Sequence, residues 1–175
     1  GIARRRPDAP APVAVDPALL TADPLEVIRD PAMQIIVELI GGTEEARRYP
    51  LEALRAGKHL VTANKALLAT HGLEIYRAAA ERKLDLGFEA AVCAGIPIIR
   101  ALRDGLVANR IRSLLGIING TANYILTKMT EQGRPFAEVL AEAQAKGYAE
   151  ADPTLDVGGH DAAHKLQILA SIAYN

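Results

Sequence analysis

Apolar residues in the first half of the chain alternate between short continuous runs and longer stretches at helical spacing. Ile35-Ile36-Val37-Glu38-Leu39-Ile40 is a run rich in β-branched residues that ends at Gly41-Gly42, and a helical pattern begins at Thr43-Glu44-Glu45. Thr43 is suited to cap that helix, Glu44 and Glu45 complement the positive end of its dipole, and Gly57 marks its stop. A second strand is expected over His59–Thr62, a helix from Lys65 to Lys83 and a third strand over Leu84–Phe88. Strand and helix alternating in this way predict a parallel sheet. Ligands of such sheets gather beyond the carboxyl ends of the strands, here Gly41-Gly42 and residues 62–65.

The segment from Arg4 to Asp23, rich in Ala, Pro and Asp, reads as a loop after a short leading strand. Beyond Glu89 the pattern predicts an apolar loop, a helix from Pro97 to Val107, and a strand over Ile111–Ile118 broken by Asn119-Gly120. More helix follows, with Pro135 suited to a start and Gly147 to a stop. A polar loop over 150–159 leads into a closing helix. There Ala162, Leu166, Leu169 and Ala173 share one face, which sets His164 and Lys165 at the edge of a buried stripe. No internal repeat is visible.

Composition narrows the class. The 175 residues are 50% hydrophobic and 23% charged, the make-up of a globular protein of one or two small domains. With no tryptophan and two phenylalanines, the core must be built from Ala, Leu, Ile and Val, which favours layered helix and sheet, an α/β fold. The net charge of -1 arises from 20 basic and 21 acidic residues mixed along the chain, so neither nucleic acid nor an anionic membrane is an expected partner. No apolar run reaches the roughly 18–20 residues that span a bilayer, and the first residues lack the apolar core of a signal peptide. The single Cys93 excludes an internal disulfide and suits a reducing, cytoplasmic setting. The chain does not begin with Met, which suggests truncation.

The densest polar information lies in Gly147-Tyr148-Ala149-Glu150-Ala151-Asp152-Pro153-Thr154-Leu155-Asp156, followed by Gly158-Gly159-His160-Asp161-Ala162-Ala163-His164-Lys165. Asp161 and Lys165 stand four apart on a helix and share a face, and Glu150 is positioned to fold back onto it from the preceding loop. Taken alone, such a pair is most often a solvated surface ion pair. The stretch as a whole, however, resembles the signature of the homoserine dehydrogenases. Further segments agree in order and spacing: Val37-Glu38-Leu39-Ile40-Gly41-Gly42, Val61-Thr62-Ala63-Asn64-Lys65, Phe88-Glu89-Ala90-Ala91-Val92, Gly95-Ile96-Pro97-Ile98-Ile99, and residues 116–126 from Gly116 to Leu126. The likeness runs from Asp23 to the end.

The resemblance implies an incomplete Rossmann-like parallel sheet over residues 1–88, followed over 89–175 by part of an α+β catalytic and dimerisation domain. It implies interconversion of L-aspartate 4-semialdehyde and L-homoserine with NAD or NADP, a step shared by threonine, methionine and isoleucine biosynthesis. By the same resemblance Lys165 takes the proton-donor position with Asp161 as its orienter, and Glu150 and Asp161 bind the substrate ammonium. Asp156 matches a further family position. Gly120, Thr121 and Tyr148 are offered as substrate contacts, although a turn, a helix cap and a core aromatic account for them equally well. Lys65 resembles the lysine that reaches cofactor and substrate. A cation at a helix amino terminus opposes the dipole, so an anionic partner is expected there.

Gly41, Gly42 and Thr43 are expected to face the dinucleotide with backbone amides, and Arg5, within Arg4-Arg5-Arg6, to meet the 2'-phosphate of NADP. Glu89, Val92, Ala94 and Ile96 align with a family site where mainly backbone oxygens hold sodium, while Cys93 reads as a packing residue. Two rival readings stand beside this one. His160 and His164 flank an acid at the spacing of a helical zinc site. Alternatively, the chain is a non-catalytic fragment or a paralogue acting by binding, because no glycine-rich dinucleotide loop precedes Ile35 and the chain stops at Asn175. The expectation is an active, homodimeric parent and an inactive, self-associating piece.

Overall fold

The computed structural model describes residues 1–10 and 12–174, which form two compact units, Gly1–Ile96 and Pro97–Asn175. In the first unit β1 (Ile2–Ala3) pairs in parallel with β2 (Leu20–Thr21), and the Arg4 amide extends the pairing to the Thr21 carbonyl at 3.0 Å. The Ala/Pro-rich segment is thus the connection of a small parallel pair, an arrangement its irregular composition conceals. Helix α1 (Pro24–Arg29) follows. Asp23 caps it by accepting from Leu25 N at 2.9 Å, and Pro24 occupies the first helical position, where no N–H is missed.

Three further parallel strands, β3 (Ile35–Glu38), β4 (His59–Thr62) and β5 (Leu86–Gly87), form a sheet in that order. They are joined by α2 (Glu44–Arg55) and α3 (Lys65–Glu81). The register pairs Ile35 with His59 and Glu38 with Thr62, so the ends of β3 and β4 lie side by side. One face is covered by α2 and α3, whose Ala46, Leu51, Leu54, Leu67, Ile75 and Ala79 pack with Leu60 of β4. Alternation along β3 buries Ile36 and Glu38 and exposes Ile35 and Val37. Lys58, itself buried, donates from Nζ to the carbonyls of Asp30 at 2.9 Å and Met33 at 2.6 Å, fixing the chain between α1 and β3 against the start of β4.

The second unit is helical among its described residues: α4 (Ile98–Arg100), running into a π-turn over Ala101–Gly105, then α5 (Gly120–Gln132), α6 (Phe136–Ala145), α7 (Thr154–Val157) and α8 (His160–Ala173). Ile125, Val139, Ala143 and Ala149 form the core between α5 and α6, and Gly133, with φ +63°, ends α5 in the left-handed turn that glycine adopts cheaply.

Several expectations are corrected here. Residues 111–118 carry no strand; Leu115 is 98% and Ile117 77% exposed, because a β-branched run becomes a strand only where a neighbour satisfies its backbone. The polar loop over 150–159 contains α7, nucleated by Asp152, whose carboxylate accepts from the Thr154 hydroxyl at 2.5 Å and its amide at 3.1 Å. On α8 the buried stripe runs through Asp161, Ile168 and Leu169 and leaves Leu166 half exposed, so Lys165 lies within the stripe and not at its edge. Thr43 stands at the start of α2 but makes no side-chain cap bond.

An acidic hub braces α5 against α6. The Glu142 carboxylate accepts from Lys146 Nζ at 2.6 Å and from the Tyr124 hydroxyl and Arg134, and these partners, Lys146 foremost, hold its pKa well below the usual carboxylate range. A lowered folded-state pKa contributes stability that is fully present above the unfolded value and is lost as pH falls through the folded one. Glu142→Gln should therefore lower the unfolding midpoint at neutral pH and match the wild type in strong acid, as measured by thermal melts across a pH series. Leu54 and Ile125, at 0% and 2% exposure, are the test of the two cores. Truncation of either to Ala should cost about 2–5 kcal/mol in denaturant titrations.

Candidate active site

In the second unit a polar cluster gathers where α8 meets the start of α5. Lys165 Nζ lies 2.7 Å from Asp161 Oδ2 and donates to the Ile118 carbonyl at 2.6 Å, with side-chain exposures of 18% for the lysine and 9% for the aspartate. This is no solvated surface pair. The residue that organises it is Asn119. Its Oδ1 accepts from Ala122 N at 2.7 Å, capping α5, and its Nδ2 donates to Asp156 Oδ1 at 2.7 Å and Asp161 Oδ2 at 2.9 Å. Both protons of the amide meet carboxylates, so one side chain fixes α5, α7 and α8 at a single point.

The other candidates of this unit surround that point unevenly. Thr121 is buried and spends its hydroxyl on the Tyr148 carbonyl at 2.7 Å, which ties the Gly147–Asp156 stretch to α5. Tyr148 itself is 56% exposed and meets Tyr124 edge-on, the ring centroids 5.1 Å apart. Gly120, at the first turn of α5, is exposed. Glu150 is exposed as well; its carbonyl accepts from Gln144 Nε2 at 3.1 Å, and among the described residues no bond joins its carboxylate to Lys165 or Asp161. His160 and His164 are respectively exposed and half-buried. Asp161 between them is committed to Lys165 and Asn119, and the described residues contain no group of three His, Cys, Asp or Glu side chains that would hold a metal ion.

In the first unit the strand ends converge as the alternation predicts. Gly41 and Gly42 both have φ +71°, consecutive left-handed residues that glycine alone adopts without penalty, and both are exposed with open space where a Cβ would stand. Gly41 N leans inward to Glu38 Oε1 at 3.3 Å, while Thr43, with no cap bond of its own, opens α2. Lys65, half-buried, is the first residue of α3, which Asn64 caps by accepting from Leu67 N at 3.0 Å. Arg5 is exposed just past β1, a strand that belongs to the separate two-stranded sheet. In the Glu89–Ile96 stretch, Glu89 opens a 3-10 turn, Val92 is fully buried, and Ala94 and Ile96 are exposed. Cys93 and Ala94 have φ +58° and +49°, two successive left-handed non-glycine residues, a strain of the kind found at functional loops.

Against this geometry the comparisons with known proteins are uniform. Residues 97–175 match the family model for homoserine dehydrogenase, and residues 1–89 match that for the homoserine dehydrogenase NAD binding domain. The chain belongs to the homoserine dehydrogenase family. It is 57% identical over 173 residues to a homoserine dehydrogenase of Pseudomonas aeruginosa, covering 99% of this chain and 39% of that protein. A solved homoserine dehydrogenase from Thiobacillus denitrificans superposes with a TM-score of 0.86 at 57% identity, covering 89% of this chain and 36% of that one. A hyperthermophilic archaeal homoserine dehydrogenase in complex with NADPH gives a TM-score of 0.79 at 33% identity, covering 87% of this chain and 47% of that one. The chain spans about two fifths of the length of the curated relatives it matches.

Within this dehydrogenase fold, sequence reasoning missed Asn119 as a site residue and treated it as a strand break. The available signal was Asn directly before a helical run, a capping residue whose NH2 must find acceptors if buried. Asn119→Ala should destabilise the second unit by about 1–3 kcal/mol, since a cap is lost and two carboxylates lose a donor. Asn119→Asp, which retains the cap but sets a third carboxylate against the other two, should cost more at pH 7 than in acid. Denaturant titrations at both pH values check this.

Proposed function

We propose that the protein to which this chain belongs is an NAD(P)-dependent homoserine dehydrogenase, interconverting L-homoserine and L-aspartate 4-semialdehyde. The observation that carries the reading is Lys165, shielded from water and oriented by Asp161 and the Ile118 carbonyl, with one of its three N–H donors still uncommitted among the described residues. That third donor supplies the proton that converts a developing alkoxide into an alcohol, and the neutral amine takes it back in the reverse direction. Asp161 and Asn119 keep the lysine from wandering, so the proton is presented from one position.

Glu150 and Asp161 are proposed to receive the substrate ammonium, with Asp156 supporting through Asn119 and with Gly120, Thr121 and Tyr148 lining the approach. The exposure of Glu150 and Tyr148 leaves them available to a ligand. When bound, the nicotinamide accepts or supplies the hydride. The residues for the dinucleotide fit: the paired left-handed glycines keep side chains out of its path, and the amides at Gly42, Thr43 and the start of α2 suit an anion. Lys65 is proposed to meet cofactor and substrate, and Arg5 the 2'-phosphate that would favour NADP over NAD.

Sodium is proposed at Glu89, Val92, Ala94 and Ile96, through mainly backbone oxygens, with the strained Cys93-Ala94 turn as the supporting observation. The proposal extends to a nucleotide-binding part over 1–88, a catalytic part over 89–175, a homodimeric and cytoplasmic parent, and a place in threonine, methionine and isoleucine biosynthesis. No helix among the described residues is long and apolar enough to cross a membrane. Homoserine-dependent reduction of NAD and NADP by the full-length protein tests the reading. The wild type should be active, and Lys165→Ala should lower kcat by about 10²–10⁴-fold, the range of a lost acid/base group. A folded but inactive full-length wild type would remove the assignment.

A further inference from the structure

The Glu38 carboxyl group has no role in the chemistry above, yet it is 5% exposed and sits at the carboxyl end of β3 where the dinucleotide is proposed to bind. Among the described residues its hydrogen-bond partners are two amides of the following turn and one hydroxyl from β4. Oε1 accepts from Ile40 N at 2.8 Å and Gly41 N at 3.3 Å, and Oε2 accepts from the Thr62 hydroxyl at 2.5 Å. The Thr62 oxygen in turn accepts from Asn64 N at 3.0 Å, and Asn64 Nδ2 donates to the Gly42 carbonyl at 2.8 Å while its Oδ1 caps α3. The path closes on itself: from Glu38 through Thr62 and Asn64 to Gly42, and back along the glycine turn to Glu38.

The alternation of β3 buries position 38 on the same face as Ile36, where a carboxyl group must have its hydration replaced bond for bond. An apolar residue would leave Ile40 N, Gly41 N and the Thr62 hydroxyl without their acceptor. What the carboxyl group adds is geometry: one oxygen sets the entry to the Gly41-Gly42 turn, and the other sets the residues that lead into Lys65. With the Gly41 amide drawn inward to Glu38, the Gly41-Gly42 turn is fixed at its entry.

We propose that Glu38 is a positioning residue for the dinucleotide, holding the Gly41-Gly42 turn and the Lys65 end of α3 at a fixed separation through Thr62 and Asn64. This rests on the reading of the first unit as the cofactor-binding part of the dehydrogenase. In Glu38→Gln the remaining oxygen still serves the two amides, but the NH2 must now donate to the Thr62 oxygen and the hydroxyl proton loses its acceptor, so the link to α3 is reversed and weakened while the turn persists. Thr62→Val breaks the same link from the other side. Thr62→Ser retains the hydroxyl.

The test uses the full-length protein and two independent readouts: NADPH affinity from nicotinamide fluorescence, and KM for NADP and for homoserine alongside kcat. Glu38→Gln and Thr62→Val should each weaken NADPH binding about tenfold, with the loss falling on KM for NADP more than on kcat or KM for homoserine. The double variant should also lose about tenfold and not a hundredfold, because both substitutions act on the same link. Thr62→Ser should recover most of the affinity. Should Glu38→Gln not fold, Thr62→Val against Thr62→Ser decides the same question. Unchanged NADPH affinity in the variants, with only a lower melting temperature, would overturn the positioning role, as would additive losses. NADPH binding that responds as expected in a protein unable to oxidise homoserine would leave the role of Glu38 standing and remove the dehydrogenase reading instead.

Discussion

The second unit depends on one primary amide. Asn119 caps α5 with its oxygen and spends both amide protons on carboxylates from two other elements, Asp156 of α7 and Asp161 of α8. Two carboxylates brought to one group repel each other, and each costs free energy to take out of water; a donor between them offsets both terms. Lys165 adds the compensating charge from the same helix as Asp161, one turn on. The ion pair is therefore not an isolated contact but the end of a chain of hydrogen bonds that begins at a helix cap.

The first unit solves a similar problem with the same residue type. Asn64 caps α3 with its oxygen and sends its NH2 to the carbonyl of Gly42, across the gap between two strand ends. In both units an asparagine at the start of a helix converts a local backbone requirement into a tertiary tie. The economy is chemical: asparagine alone among the good capping residues carries two donors as well as the capping oxygen. The consequence is rigidity at helix amino termini, the places where backbone amides face ligands.

Packing and polar order divide the work between them. Apolar contacts among Leu54, Leu60, Leu67 and Ile75 hold helices against the parallel sheet without specifying what lies at the strand ends. The directional bonds of Glu38, Thr62 and Asn64 do that, and they are buried enough that water does not compete. In the second unit the Glu142 hub performs the corresponding task between α5 and α6, where Lys146 and Arg134 hold its carboxylate charged and the Tyr124 ring meets Tyr148 edge-on.

The sequence by itself determined the family and the order of elements over residues 35–81. Periodicity over residues 35–81 announced two strands and two helices to within a few residues, since burying one face of a sheet or helix imposes a period that survives in any context. The motif from Gly147 to Lys165 carried the identity and brought Asp161 and Lys165 onto one helical face. Only tertiary structure decided the rest. Residues 111–118 have the composition of a strand yet carry none, because strand formation needs a partner that composition does not name. Residues 2–3 and 20–21, with almost no periodicity, pair because packing brings them together. The buried stripe of α8 runs through Asp161, because Asn119 and Lys165 make that carboxylate affordable to bury. A hydrophobic scale assigns it to water, and its partners, distant in sequence, overrule the scale.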